Sequence, residues 1–206
     1  FLNMNVSIIS EMHGSKLIGK NVFDQIRREN LPIFPASFVD PNNGTGIVMS
    51  VPAHSPYDYQ ALVDLRKDVA SLSKYNVIVD IVPIRVIHTE MFSSNDSSPA
   101  ESIVNSYSIR DQNDPKLEEA TNKLYSDEFH NGILLPAIDV IGNMSVLKAR
   151  DAMREELINK GIGTKMYELK NEVICRCGTR CVVKLLTNQW FINYGDEKWK
   201  KLAYEL

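Results

Sequence analysis

The 206 residues predict an α+β fold, and three observations carry that expectation. Short runs rich in β-branched residues recur at 47–51 (IVMSV) and 77–88 (VIVDIVPIRVIH). Apolar residues at helical spacing follow Ser55 and Asp114 and recur from Val146. A glycine-centred reversal at Cys177-Gly178-Thr179 lies inside a stretch, 164–186, with extended character.

In chain order, Gly14 and Gly19 bracket a short extended piece, and the polar run 24–30 (DQIRREN) reads as a helical turn or a loop. Residues 31–39 (LPIFPASFV) are apolar, and their two prolines make them an edge or bulged strand. Pro41-Asn-Asn-Gly44 has turn chemistry, so 31–51 reads as two strands around a tight turn. A helix starts at Ser55, a good N-cap, with Pro56 at its first position and Leu62, Leu65, Val69 and Leu72 on one face. Residues 93–99 (SSNDSSP) form a polar loop at which a subdomain boundary is expected. Asp114-Pro115 opens a second helix, with Leu117, Ala120, Thr121 and Leu124 on one face. A third runs from about Val146 to Lys160, with Ala149, Met153 and Leu157 inward and Gly161 as its stop. Residues 196–206 read as a closing helix.

Composition narrows the function classes. With 44% hydrophobic residues the chain can bury a core, and no apolar run approaches the ~20 residues of a membrane span. A formal charge of −3 argues against a chain that grips nucleic acid by itself, since phosphate contacts need a basic excess. Neither a basic leader nor a disulfide framework is visible, and three clustered cysteines fit a reducing cytoplasm.

The richest stretch is 44–58, GTGIVMSVPAHSPYD. Asp58 is the third helical residue after Ser55, which is the spacing of a capping box, and the helix dipole favours an acid there. The functional alternative is that Asp58 leaves a strand-to-helix corner to hold a cation, since a carboxylate pairs well with an ammonium group. His54 lies four residues before it, but Pro52 and Pro56 keep His54 off the helix, so the pair is not a metal set. A histidine that hydrogen-bonds the turn is expected instead. Gly44-Thr45-Gly46 leads into a predicted strand, whereas a phosphate cradle opens a helix, so its glycines serve close approach or positive φ. Cys175, Cys177 and Cys181 are one ligand short of a structural zinc set, so no metal is assigned and a glycine-turned hairpin is expected. Gln189-Trp-Phe-Ile-Asn-Tyr194 reads as an aromatic cluster docking on a neighbouring core or stacking on a base. No Ser-His-Asp or Cys-His pair offers a covalent nucleophile.

Residues 44–62, GTGIVMSVPAHSPYDYQAL, resemble the corner of the editing domain in the class I synthetases for leucine, isoleucine and valine. VMSVPAH followed by Pro and Asp is most similar to leucyl-tRNA synthetases of archaeal and eukaryotic type. DPKLEEATNKLYSDEFHNGILL (114–135) resembles that family's helical insertion. VICRCGTRCVVKLLTNQWFINYGDEKWKKLA (173–203) resembles the segment that returns to the catalytic core. The resemblance implies a small β-barrel core with a helical insertion and a C-terminal hairpin. On that plan 1–92 is the C-terminal part of the barrel, 93–170 the insertion, and 171–206 the return segment.

It further implies hydrolysis of the ester in leucine tRNA charged with a wrong amino acid such as isoleucine or norvaline. A hydrophobic pocket separates such isomers by only ~1–3 kcal/mol, so a second, hydrolytic sieve is needed. Asp58 would grip the substrate's α-ammonium, with Thr45, Gly46, Val51 and His54 lining the pocket. Editing would need neither metal nor cofactor. ATP belongs to the parent ligase, whose HIGH and KMSKS motifs are absent here, as is the family's threonine-rich strand. The expected partners are mischarged leucine tRNA and the remainder of a synthetase, in the cytoplasm and away from membranes. The alternative is a non-catalytic module that docks tRNA or the ligase core.

Overall fold

A computed structural model describes residues 5, 7–41, 45–92, 96–136, 138, 141–169 and 171–205. It divides into two compact units, one spanning Ser10–Gly163 and the other formed by Thr164–Leu206 with the N-terminal residues up to Ile9. The architecture is α+β.

The larger unit opens with a 3-10 turn, Gly14–Lys16, and a hairpin of β1 (Asn21–Asp24) and β2 (Glu29–Pro32), in which Val22 faces Leu31. The polar run 24–30 is the turn of that hairpin. Asp24 starts it by accepting from the Ile26 and Arg27 amides at 2.8 and 3.3 Å, and Arg28 takes a positive φ of 57°.

Helix α1 (Pro56–Lys67) begins where Ser55 and Pro56 predict. The predicted helix does not run unbroken to Leu72. Asp68 leaves helical geometry and its carboxylate caps a separate helix, α2 (Val69–Tyr75), by accepting from Ser71 N–H at 3.0 Å. Strand β3 (Ile87–His88) pairs antiparallel with β4 (Ile133–Leu134). Between them lie α3 (Pro99–Ser106) and α4 (Lys116–Asn131), and α5 (Val146–Asn159) follows. The sequence spacing does not predict α3. It begins with Ser98 as N-cap and Pro99 at the first position, the arrangement that opens α1.

Helices α1, α3 and α4 pack on one another, and α4 also packs on α5. Phe92, Ala100, Ile103, Ala120 and Leu124 form one buried cluster, with Tyr59 and Tyr107 against it. Leu134, Ile141 and Ala149 form a second, covered by Ile87, Val146 and Met153. The predicted face of α4 is buried, and it extends one turn further, to Glu128.

Two strand expectations need correction. Among the described residues the sheets are two antiparallel pairs, with no closed barrel. Residues 47–51 and 77–86 carry no ladder, and Ile47, Val48, Met49, Ile78 and Val82 are exposed. A β-branched run is suited to a pleated surface, but a ladder exists only where a partner strand supplies the opposite edge. The turn predicted at Pro41–Gly44 lies mostly outside the described residues.

In the smaller unit, Ile174 bridges Arg180 across the Gly178 turn, and Cys175 N–H donates to Thr179 C=O at 2.8 Å, as a hairpin requires. Helix α6 (Glu197–Tyr204) starts at the Asp196 cap.

Candidate active site

Asp58 lies on the first turn of α1 and is 7% exposed. Ser55 Oγ accepts its backbone N–H at 3.3 Å, which is one half of a capping box. The other half is absent. In a capping box the acid reaches back to the N-cap amide, but Ser55 N–H donates instead to Val51 C=O at 2.9 Å. The Asp58 carboxylate is thereby released to Val51, whose N–H donates to Oδ2 at 2.7 Å. The acid serves the turn before the helix rather than the helix itself.

Burial pushes the Asp58 carboxyl above the ordinary carboxylate range, while hydrogen bonds from the Val51 amide and the Ser55 and Ser50 hydroxyls pull it part of the way back. A carboxylate has about four acceptor positions, and the Val51 amide at 2.7 Å takes one of them, so acceptor capacity remains. No lysine or arginine pairs with it among the described residues. The site is therefore a fixed, poorly solvated carboxylate with capacity for a cation.

The turn that carries it is tied on several sides. Val51 C=O accepts both His54 N–H and Ser55 N–H at 2.9 Å. Ala53 C=O accepts Ala100 N–H from the start of α3 at 3.0 Å. The His54 ring is buried, with Nε2 accepting Val86 N–H at 2.9 Å and Nδ1 lying 2.6 Å from Glu128 Oε1 on α4. Both ring nitrogens are thus committed to the fold.

Asp58, Val51 and His54 are therefore one hydrogen-bonded corner. Val51 turns a partly exposed apolar side chain outward from it. Thr45 and Gly46 belong to a separate turn. The Thr45 hydroxyl bonds the amide and carbonyl of Ile47 at 3.3 and 3.4 Å. Gly46 has φ of +68°, and a Cβ there would lie 3.2 Å from Pro41 C=O, so both its conformation and its neighbour call for glycine. Gly44 lies outside the described residues.

Sequence reasoning missed Glu128, Val86 and Ser98, which reach the turn from distant parts of the chain. Two of them left a signal: Ser98 opens a Ser-Pro-Ala-Glu cap pattern, and Glu128 is a carboxylate one turn beyond Leu124 on the buried face of α4.

In the smaller unit, Cys175 and Cys177 are exposed and Cys181 is half-buried. Hydrogen bonds with Thr179, and then the Cys175 thiol, bring the Cys177 thiol down to about 7. Among the described residues, no three His, Cys, Asp or Glu side chains converge as a metal would require. Trp190 and Phe191 are 98% and 84% exposed, and Trp199 Nε1 donates to Asn193 C=O at 2.8 Å. No helix among the described residues is long and apolar enough to cross a membrane.

Residues 8–123 match the family model described as leucyl-tRNA synthetase, editing domain. A leucine–tRNA ligase of Methanothrix thermoacetophila is 43% identical over 206 residues, which is 100% of this chain and 22% of that protein. That of Methanocaldococcus jannaschii is 44% identical over 202 residues, 97% of this chain and 20% of its own length. The chain thus spans about a fifth of the relatives it matches. Among solved structures, the editing domain of P. knowlesi cytosolic leucyl-tRNA synthetase superposes with a TM-score of 0.66 at 21% identity, covering 79% of this chain and 56% of that one. The P. falciparum editing domain gives 0.65 at 23%, covering 74% and 48%, and at these identities the two structures speak for the fold. On the family match and the two ligases, the chain belongs to the leucyl-tRNA synthetase editing-domain family.

Proposed function

We propose that this chain hydrolyses the ester of leucine tRNA carrying a wrong amino acid, isoleucine or norvaline, with Asp58 holding the substrate's α-ammonium. The observation that carries the reading is the Asp58 carboxylate. It is buried, aimed by Val51 N–H, and without a cationic side chain beside it among the described residues. A desolvated carboxylate gains most from a cation, and every aminoacyl ester brings one next to its reacting carbonyl.

With the ammonium on Asp58, the ester carbonyl is held near the 45–54 segment. Water attacks the carbonyl carbon, the carbon–oxygen bond to the terminal ribose breaks, one proton of the water passes to the departing ribose oxygen, and the other is released as the amino acid leaves as its carboxylate. Main-chain amides of that segment supply dipoles toward the developing oxyanion, and Thr45 borders the pocket from its own turn. Gly46 lets the backbone come close, Val51 offers an apolar contact to the wrong side chain, and His54 holds the turn. In this reading, the barrel that the family resemblance implies forms only where 47–51 and 77–86, unpaired among the described residues, meet partner strands from the remainder of a synthetase. No step calls for a metal, and ATP serves only the parent ligase. The partners are the mischarged tRNA and the remainder of a synthetase, in the cytoplasm.

The test is deacylation of isoleucine-charged leucine tRNA by the chain, with Asp58→Ala alongside. Hydrolysis by the first and not the second is expected, and equal rates would refute the role of Asp58. One observation favours a second reading, a docking module without chemistry: the aromatic side chains Trp190 and Phe191 stand almost fully exposed. Tight tRNA binding with no hydrolysis by either protein would support that module.

A further inference from the structure

Glu128 takes no part in the chemistry above, yet it is a carboxylate only 5% exposed on a helix face otherwise made of Leu117, Ala120, Thr121 and Leu124. Burying an acid is costly unless it is hydrogen-bonded, and its partner here is the His54 ring. The Val86 amide can only donate, so the His54 Nε2 it reaches carries no proton. The proton therefore sits on Nδ1 and is donated to Glu128. His54 is a neutral imidazole between a backbone donor and a buried carboxylate acceptor, rather than half of an ion pair.

The ring is joined to Asp58 by a short path. His54 N–H donates to Val51 C=O, and the peptide group on the other side of the Val51 Cα donates its N–H to Asp58 Oδ2. From Glu128 on α4 to Asp58 on α1, each link is a hydrogen bond of 2.6–2.9 Å or the covalent backbone of Val51 or His54.

We propose that Glu128 is a positioning residue for the editing site: through His54 it fixes the Val51–Ser55 turn, and so the orientation in which Asp58 meets an ammonium group. This rests on the reading of Asp58 as the ammonium holder. Removing the Glu128 acceptor leaves the His54 Nδ1–H unsatisfied in a buried place, and the ring must turn or draw in water. Either change loosens the turn at Val51. Glutamine at 128 keeps an oxygen that accepts the same N–H.

The test reads the turn directly, by nuclear magnetic resonance on the chain and its Glu128→Ala and Glu128→Gln variants. In Glu128→Ala, exchange of the Val51 amide hydrogen is expected to rise by about tenfold or more. The Asp58 carboxyl should titrate higher, having lost a donor, while the Ile103 and Leu124 amides keep their protection. Glu128→Gln should restore both readings. A Val51 amide and an Asp58 titration unchanged in Glu128→Ala would overturn the proposal. So would a loss of protection shared equally by Ile103 and Leu124, which marks a merely structural role. If Glu128→Ala does not fold, the wild-type ring decides. Imidazole nitrogen shifts placing the proton on Nδ1 support the path, and a proton on Nε2 overturns it. None of these readings needs an active enzyme. Failure of Asp58→Ala to affect deacylation would overturn the ammonium role and leave the Glu128 path standing.

Discussion

The Val51 amide and the Asp58 carboxylate meet at 2.7 Å across the corner where an irregular segment enters α1. The contact converts a helix-capping position into an aimed acid. Its helix is already capped by Ser55, so the Asp58 carboxylate is free to bond the turn and to meet a cation.

Burial sets the pH behaviour of Asp58, and the sign is definite. Its folded carboxyl lies above the unfolded value, so folding favours the protonated acid. The contribution of Asp58 to stability is fully present in acid and is lost as pH rises through the folded value. Urea unfolding of the chain and of Asp58→Asn across that window should show wild type losing ground to the variant as pH rises. A constant difference would mean that burial does not govern the group. On the proposed role only the ionised form would hold an ammonium, so the acid limb of deacylation should lie above the range of an exposed aspartate.

Ser55→Ala removes the N-cap of α1 and should cost about 1 kcal/mol in denaturant unfolding. Ser98→Ala should cost a similar amount at α3. A loss of stability confined to one of the two would show that the matching Ser-Pro starts are not energetically alike.

Gly132 ends α4 where it meets Ile87 and Val146. A Cβ there would lie 2.7 and 2.8 Å from their methyl groups and 2.1 Å from Glu128 C=O. Gly132→Ala should therefore destabilise the chain by roughly 1–3 kcal/mol, as overpacking does, measured as a shift of the urea midpoint. A neutral result would mean that α4 can move off β3.

The Cys177 thiol, held near 7, is largely thiolate at mildly alkaline pH. Iodoacetamide at about pH 7.5 should label it before Cys181, which is half-buried, as peptide mass spectrometry would resolve. Thr179→Val should slow that labelling. Metal analysis of the purified chain tests zinc at the same three thiols.

Much of the corner was legible in the chain. Ser55, Pro56 and Asp58 announce the helix start and place the acid on its first turn, and both follow from local rules. Gly46 signals its positive φ in the same way. The α4 face and the end of α5 are legible because helical periodicity is local. IVMSV misleads because pairing is not local: the residues suit a strand, but no described segment supplies the partner. The break at Asp68 is a competition between continuing a helix and capping a new one, which apolar spacing does not register. Ser98-Pro-Ala-Glu101 repeats the pattern of Ser55-Pro-Tyr-Asp58, so α3 was readable and was masked by the polar loop beside it. The link from His54 to Glu128 crosses 74 positions, and only tertiary packing brings it together.

The proposed role of Asp58 is to recognise the positive charge of the misplaced amino acid. It is tested most directly by comparing hydrolysis of isoleucine-charged leucine tRNA with that of its N-acetylated form, using wild type and Asp58→Ala. Wild type is expected to cleave the free-amine ester far faster than the acetylated one, and Asp58→Ala to be slow on both and no longer to tell them apart. Equal cleavage of both esters by wild type, or discrimination that survives in Asp58→Ala, would contradict it.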